Sequence, residues 1–145
     1  MRRDSVTHEF VVYIPDDLTE GTVYVSILYA TIVHRCLCGC GNQVVTPLAP
    51  TDWAMTFDGD TISLNPSIGN WSFPCQSHYW IRRNKVVWSR RWSRTQIAAG
   101  RARDQAAKHA YFEEDVKTVQ AASGVGQEEA RDSTLWSRLK RWLSR

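Results

Sequence analysis

Every cysteine of the chain lies between His34 and His78. The stretch opens with His34-Arg-Cys36-Leu-Cys38-Gly-Cys40-Gly41 and closes with Cys75-Gln-Ser-His78. Zinc prefers thiolate sulfur and imidazole nitrogen, usually supplied as two close pairs of ligands. Glycine permits the tight turn that brings two nearby sulfurs to one ion. The pattern therefore predicts a Zn2+ site built from two short loops, with candidate ligands Cys36, Cys38, Cys40, Cys75 and His78.

Six candidate ligands, counting His34, compete for about four positions. One set, Cys38, Cys40, Cys75 and His78, resembles the loops of Rieske-type sites with cysteine in place of the first histidine. Alternatively, Cys36 replaces one of the other two loop cysteines and gives an all-thiolate site with Cys75. A closed site of four ligands would be structural, whereas three ligands and a water would be catalytic. The thiolate-rich set favours structural zinc, and the same ligands would also suit an iron–sulfur cluster.

A second possible centre of chemistry is Ser67, in the loop Pro66-Ser67-Ile68-Gly69-Asn70. If the metal is structural, a serine nucleophile needs a base within hydrogen-bond reach, and His34 or His78 is the nearby candidate. We assign His78 to the metal and predict Ser67 and His34 as the catalytic residues. The backbone N–H groups of Ile68 and Gly69 would then stabilise an oxyanion. The alternative is that Ser67 and its asparagine neighbours only hydrogen-bond a turn.

Short β-strands separated by turn signals must position these loops. Strands are expected over 9–14, 22–33, 43–46, 53–57, 61–64, 78–81 and 85–88, with Asp58-Gly59-Asp60 as one hairpin turn. The Cys-Gly-Cys-Gly segment then lies at the tip of a hairpin. We therefore predict a mainly β fold: a small antiparallel β domain over residues 6–90 with zinc-ribbon or Rieske-like metal loops. Its core would contain Trp53, Trp71, Trp80 and Trp88, whereas Trp92 would be exposed or bind a partner.

The sequence after Trp88 predicts a helical, basic C-terminal extension over residues 91–145. Ser93 to Glu114 is rich in helix-forming residues, and Ser123-Gly-Val-Gly126 indicates a flexible break. A short amphipathic helix is expected from Leu135 to Leu143, with arginine and lysine between its apolar positions. This helix would dock on a partner, a membrane surface or its own domain.

Composition and charge limit the classes of function. The chain has 145 residues, 43% of them hydrophobic and 23% charged, which is typical of a soluble protein. We expect no signal peptide and no transmembrane segment, and hence a cytoplasmic protein whose reduced thiols bind metal rather than form disulfides. Residues 1–90 contain seven Lys/Arg and eight Asp/Glu, whereas residues 91–145 contain 11 and seven. A net charge of +3 with its excess in the tail does not indicate nucleic-acid binding.

Several motifs occur together in an order that resembles one bacterial domain family. The motifs are Tyr24-Val25-Ser26, His34-x-Cys36-x-Cys38-Gly-Cys40-Gly41, Ser63-Leu64-x-Pro66-Ser67-Ile68-Gly69-Asn70-Trp71 and Cys75-x-Ser77-His78-Tyr79-Trp80-Ile81. The resemblance covers roughly residues 10–90. Members of that family are encoded beside ubiquitin-like proteins and E1/E2-like enzymes, in operons linked to phage defence.

The resemblance implies a role beside ubiquitin-like conjugation, with a ubiquitin-like protein or E1/E2-like enzymes as partners. The first hypothesis is a peptidase that processes or removes the ubiquitin-like modifier. The second is a non-catalytic zinc module that binds the modifier or its conjugating enzymes as an E3-like adaptor. The third is an electron-transfer protein with an iron–sulfur cluster.

Overall fold

The structure is a computed structural model that describes residues 1–128, with side chains as far as residue 122. The described chain has nine strands followed by one long helix. They are β1 (Thr7–Phe10), β2 (Thr22–Ser26), β3 (Thr31–Arg35), β4 (Gln43–Pro47), β5 (Ala54–Phe57), β6 (Ile62–Asn65), β7 (Ile68–Gly69), β8 (His78–Arg82), β9 (Lys85–Trp88) and α1 (Arg94–Glu128). The prediction of a mainly β fold with a helical C-terminal part is confirmed.

The strands form three sheets, ordered β1-β2-β3-β4, β5-β6 and β7-β8-β9. Two predicted hairpins are confirmed, because β3–β4 and β5–β6 are antiparallel neighbours, and the predicted strands near 78–81 and 85–88 form a third antiparallel pair, β8–β9. The β3–β4 hairpin pairs Arg35 with Gln43, so the Cys-Gly-Cys-Gly segment lies at its tip as expected. One pair departs from the antiparallel prediction, because β1 runs parallel to β2.

The predicted strand over 22–33 is wrong in its length. The structure divides this run into β2 and β3, which pair with each other from Val23↔His34 to Ser26↔Thr31. The turn between them contains Ala30 in the left-handed region, with φ of 45°. The residues of this turn are apolar, so composition did not indicate where the first strand ends.

One hydrophobic core joins the sheets. It is built from Val23, Val25 and Ile32 of the first sheet, Ile62 and Leu64 of β6, and Ile68, Tyr79 and Ile81 of the third sheet. Full burial of one such aliphatic side chain contributes roughly 1.5–3 kcal/mol. The core therefore fixes β7 and β8 against the β3–β4 hairpin that carries three of the cysteines.

The chain divides into two units, and the first, a compact unit, is Met1–Gly100. Helix α1 begins after a reciprocal cap, in which Gln96 N–H donates to Ser93 Oγ at 3.2 Å and Ser93 N–H donates to Gln96 Oε1 at 2.9 Å. The predicted break at Ser123–Gly126 is wrong, since α1 continues to Glu128. A glycine costs a helix about 1 kcal/mol, which does not by itself end it. The predicted helix over 135–143 lies outside the described residues. No helix in the described part of the chain has the length and apolar surface needed to cross a membrane.

Candidate active site and metal centre

Strands β7 and β8 carry residues of both predicted centres. Ile68 pairs with Tyr79, and Gly69 pairs with His78. Successive side chains of a strand point to opposite faces of the sheet. Ser77 and Tyr79 therefore lie on one face, and His78 lies on the other. The contacts on these two faces differ in chemistry.

The first face of β8 meets a cluster of four cysteines. The sulfurs of Cys36, Cys38, Cys40 and Cys75 all lie within 4.8 Å of one another. The Sγ–Sγ distances are 3.4 Å for Cys36–Cys38, 4.0 Å for Cys36–Cys75 and 3.7 Å for Cys40–Cys75. Four sulfurs at about 2.3 Å from a tetrahedral zinc ion would be about 3.8 Å apart. The donor set and its spacing therefore fit a four-coordinate thiolate site, and His78 is outside this group.

The cysteines of the cluster differ in how readily they lose a proton. Burial raises the pKa of the Cys36 thiol, and burial with hydrogen bonds to Cys36 and Cys40 raises that of Cys38. At Cys40 desolvation acts upward, but hydrogen bonds from Asn42 and the neighbouring thiols hold its pKa at about 6. Cysteine binds a metal ion as the thiolate, so a divalent cation bound at this cluster would displace thiol protons.

Buried polar side chains connect this cluster to the core. Ser77 Oγ lies 3.1 Å from Cys36 Sγ and accepts a hydrogen bond of 2.8 Å from Asn70 Nδ2. Asn70 Nδ2 also lies 3.4 Å from the Tyr79 hydroxyl, which is 2.9 Å from His34 Nε2. Burial lowers the pKa of His34 to about 4 and raises that of Tyr79, so both groups are neutral. Through Ser77, this buried network contacts the sulfur of Cys36.

The opposite face of β8 brings a histidine to a serine. His78 Nε2 lies 2.8 Å from Ser67 Oγ. Ser67 precedes β7 by one residue and is partly exposed, whereas His78 is 4% exposed. A partly exposed hydroxyl bonded to a buried imidazole is the arrangement by which a base activates a serine nucleophile. We call this pair the Ser67–His78 dyad.

Three indole rings surround the imidazole of His78. The ring centroids of Trp92, Trp71 and Trp80 lie 4.8, 4.9 and 5.2 Å from that of His78. Desolvation by this burial lowers the pKa of His78, which keeps the ring neutral and able to accept a proton. No atom of the described residues hydrogen-bonds the buried Nδ1 of His78. The pair therefore has no carboxylate third member within the described part of the chain.

Gly69 shapes the space beside the dyad. Asn70 N–H donates to Ser77 O at 2.9 Å, and Ser89 N–H donates to His78 O at 2.9 Å. Because hydrogen-bonded and non-bonded pairs alternate in an antiparallel ladder, the Gly69 N–H points away from β8, toward the outer edge of its sheet. A Cβ atom on Gly69 would overlap the Trp71 indole. Glycine thus lets Trp71 lie close to β7, the strand that directly follows Ser67.

A family model described as bacterial ubiquitination-like system serine protease (BubE) matches residues 10–89. The chain belongs to the BubE family. This finding confirms the resemblance to a domain family of bacterial ubiquitin-like systems. The BubE match includes Ser67, His78 and all four cysteines, and it ends before Trp92. Comparisons with curated proteins and with solved structures gave no match.

In this BubE domain the two histidines lie differently from our assignment. His34, which we paired with Ser67, bonds Tyr79 in the core, and His78, which we assigned to the metal, bonds Ser67. The spacing of Cys75 and His78 suggested a pair of ligands. In a strand, however, successive side chains point to opposite faces, and this places His78 on the face opposite to Ser77 and Tyr79. Trp92, expected to be exposed or to serve a partner, is half-buried against His78. Its place one residue before a Ser-x-x-Gln cap was the signal for an ordered segment.

Proposed function

We propose that this chain is a serine peptidase that acts on a ubiquitin-like protein, with Ser67 as nucleophile and His78 as general base. The 2.8 Å contact between Ser67 Oγ and His78 Nε2 is the observation that carries the proposal. The family description, which names a serine protease of bacterial ubiquitination-like systems, supports the same reaction class and kind of partner. The substrate would be the C-terminal region of the modifier, either as a precursor or joined to a target.

The chemistry follows from the neutral state of His78. Ser67 Oγ attacks the carbonyl carbon of the scissile bond while its proton passes to His78 Nε2. The protonated imidazole then gives this proton to the departing amine, and the acyl group remains on Ser67 as an ester. Water hydrolyses the ester by the same route, with His78 again taking and returning the proton. As base at Nε2, the neutral ring carries its hydrogen on the buried Nδ1.

The outer edge of β7 offers a donor for the developing oxyanion. The Gly69 N–H is two residues from Ser67 and directed toward that edge, as the ladder alternation requires. A backbone N–H close to a nucleophile stabilises the negative charge of a tetrahedral intermediate. We assign this N–H as one member of the oxyanion site.

The four cysteines would hold a structural zinc ion in the same protein. Cys36, Cys38 and Cys40 come from the β3–β4 tip, and Cys75 comes from the segment that enters β8. A bound zinc would join these two parts of the chain and stabilise the fold. Because four protein sulfurs complete a tetrahedron, the reaction is assigned to Ser67 and His78.

The same closed cluster favours a second candidate, a non-catalytic zinc module that binds the modifier or its conjugating enzymes. The two candidates differ in the reactivity of Ser67. A fluorophosphonate probe reacts with an activated serine hydroxyl and requires no knowledge of the substrate.

The test incubates the full chain with the probe and, separately, with a ubiquitin-like protein that carries a C-terminal extension. The wild type should label and cleave, whereas Ser67→Ala and His78→Ala should do neither. Ser72→Ala, which alters an exposed serine in the next loop, should behave as wild type. Metal analysis of each protein should find one zinc per chain. Wild-type protein that binds the modifier without labelling or cleavage would establish the adaptor, and stoichiometric iron with visible absorbance would establish a cluster.

A further inference from the structure

Trp92 lies beyond the region that the family model matches, yet it contacts the dyad. Its ring centroid is 4.8 Å from that of His78 at an interplanar angle of 78°, an edge-on contact. It is also stacked on Trp71, at 5.2 Å and 21°. The segment after β9 therefore closes over the face of β8 that carries His78.

Three contacts hold this segment in place within the first compact unit. The Ser93–Gln96 cap fixes the start of α1 directly after Trp92. Gly100 lies against the indole, since a Cβ atom there would be 3.1 Å from Cζ3 of Trp92. Arg91 donates to Gln76 Oε1 at 3.1 Å, which joins the segment to the loop before β8. The first turns of α1 and the loop thus determine where Trp92 lies.

His78 needs such support because Nδ1 has no hydrogen-bond partner among the described residues. In serine–histidine–aspartate enzymes a carboxylate on that nitrogen orients the ring. Here the neighbours of the ring are indoles, and packing against rigid aromatic rings restricts rotation of the imidazole. Trp92 is the neighbour supplied from outside β7, β8 and their connecting loop.

We propose that Trp92 is a positioning residue that orients His78 toward Ser67, the role that a carboxylate has in a triad. This inference rests on the proposed serine chemistry. It makes the beginning of the C-terminal extension part of the active site. The charged groups around this cluster contact neighbours of His78: Arg82 lies 5.5 Å over the Trp80 ring, and Arg91 bonds Gln76.

The test compares Trp92→Ala, Trp92→Phe and Trp88→Ala in the full chain. Trp88 is a half-buried tryptophan whose ring contacts that of Tyr79, so it controls for general destabilisation. Probe labelling of Ser67 should fall roughly 10- to 100-fold in Trp92→Ala, because a small displacement of a catalytic group costs that much. Trp92→Phe should recover most of the rate. With a modifier substrate, kcat should fall while KM changes little.

A second readout does not depend on catalysis. Nuclear magnetic resonance titration of His78 should show its pKa rising in Trp92→Ala, since removal of the indole readmits water, and remaining at the wild-type value in Trp88→Ala. Equal labelling rates and equal His78 titrations in wild type and Trp92→Ala would overturn the role of Trp92. If the folded wild type never labels but the titration shifts, the serine chemistry fails while the contact of Trp92 with His78 stands. These outcomes separate the two proposals.

Discussion

Replacing Gly69 with alanine tests the packing that surrounds the dyad. A Cβ atom at Gly69 would lie 2.8 Å from Cζ2 and 2.5 Å from Cε2 of Trp71. Carbon atoms pack at about 3.5 Å or more, so the indole must move by about 1 Å. Gly69 does not have a positive φ, so alanine fits its backbone and the effect comes from the ring. Overpacking of this kind costs about 1–3 kcal/mol in the free energy of unfolding.

The displaced indole would disturb the reaction as well as the fold. Trp71 lies 4.9 Å from His78 and stacks on Trp92, so its movement pushes on both. A shift of about 1 Å near a catalytic group costs up to roughly 100-fold in rate. Probe labelling of Ser67 should therefore fall in Gly69→Ala well beyond what loss of stability explains.

A double-mutant cycle decides whether the clash is the cause. Chemical denaturation gives the free energy of unfolding of Gly69→Ala, Trp71→Ala and the double variant. Trp71→Ala removes the ring that the new methyl group would meet, so the two losses of stability should not add. The double variant should lose less free energy of unfolding than the sum of the two single losses, by about 1 kcal/mol or more. Additive losses of stability would show that overlap with the Trp71 ring is not the cause of the effect of Gly69→Ala.

Three further outcomes follow from the same site. Cys75→Ser should lower the zinc content measured by mass spectrometry and reduce the free energy of unfolding by about 4 kcal/mol or more, since metal loss is among the largest effects of one substitution; unchanged zinc would contradict the ligand set. Labelling of Ser67 should rise with pH through a midpoint below about 6.5, because burial lowers the pKa of His78 and only its neutral form accepts the proton; a midpoint above that value would oppose His78 as base. Tyr79→Phe should cost about 1–3 kcal/mol in denaturation because it leaves His34 Nε2 without its bond, whereas an unchanged midpoint of denaturation would argue against that bond.

The hairpins could be predicted because their turns are specified by adjacent residues. Asp58 Oδ1 accepts hydrogen bonds from the N–H groups of Asp60 and Thr61 at 3.1 and 2.6 Å, and Gly59 has a φ of 98°. These hydrogen bonds join residues at most three apart, so the local sequence is enough to predict the turn. The clustering of the cysteines was predictable for a related reason, since thiols concentrated in two short segments indicate a shared ion.

The roles of the histidines could not be predicted from spacing alone. Whether His34 or His78 meets Ser67 depends on how β7 registers with β8, and that register is fixed by core residues such as Ile68 and Tyr79. A shift of one residue would exchange the two faces of β8. The contact between Trp92 and His78 could not be predicted either, because it joins the segment before α1 to β8.

The two faces of β8 explain why a cysteine cluster accompanies a serine–histidine pair in so small a domain. Strand β7 has two residues, and so short a ladder is a weak support for Ser67. Asn70, next after β7, bonds Ser77, and Ser77 contacts Cys36. A metal at the cluster would fix Cys75 before β8 and, through Ser77 and Asn70, the end of β7. Small domains commonly need such a cross-link where the core is limited, and here it would act on the strand pair that holds nucleophile and base together.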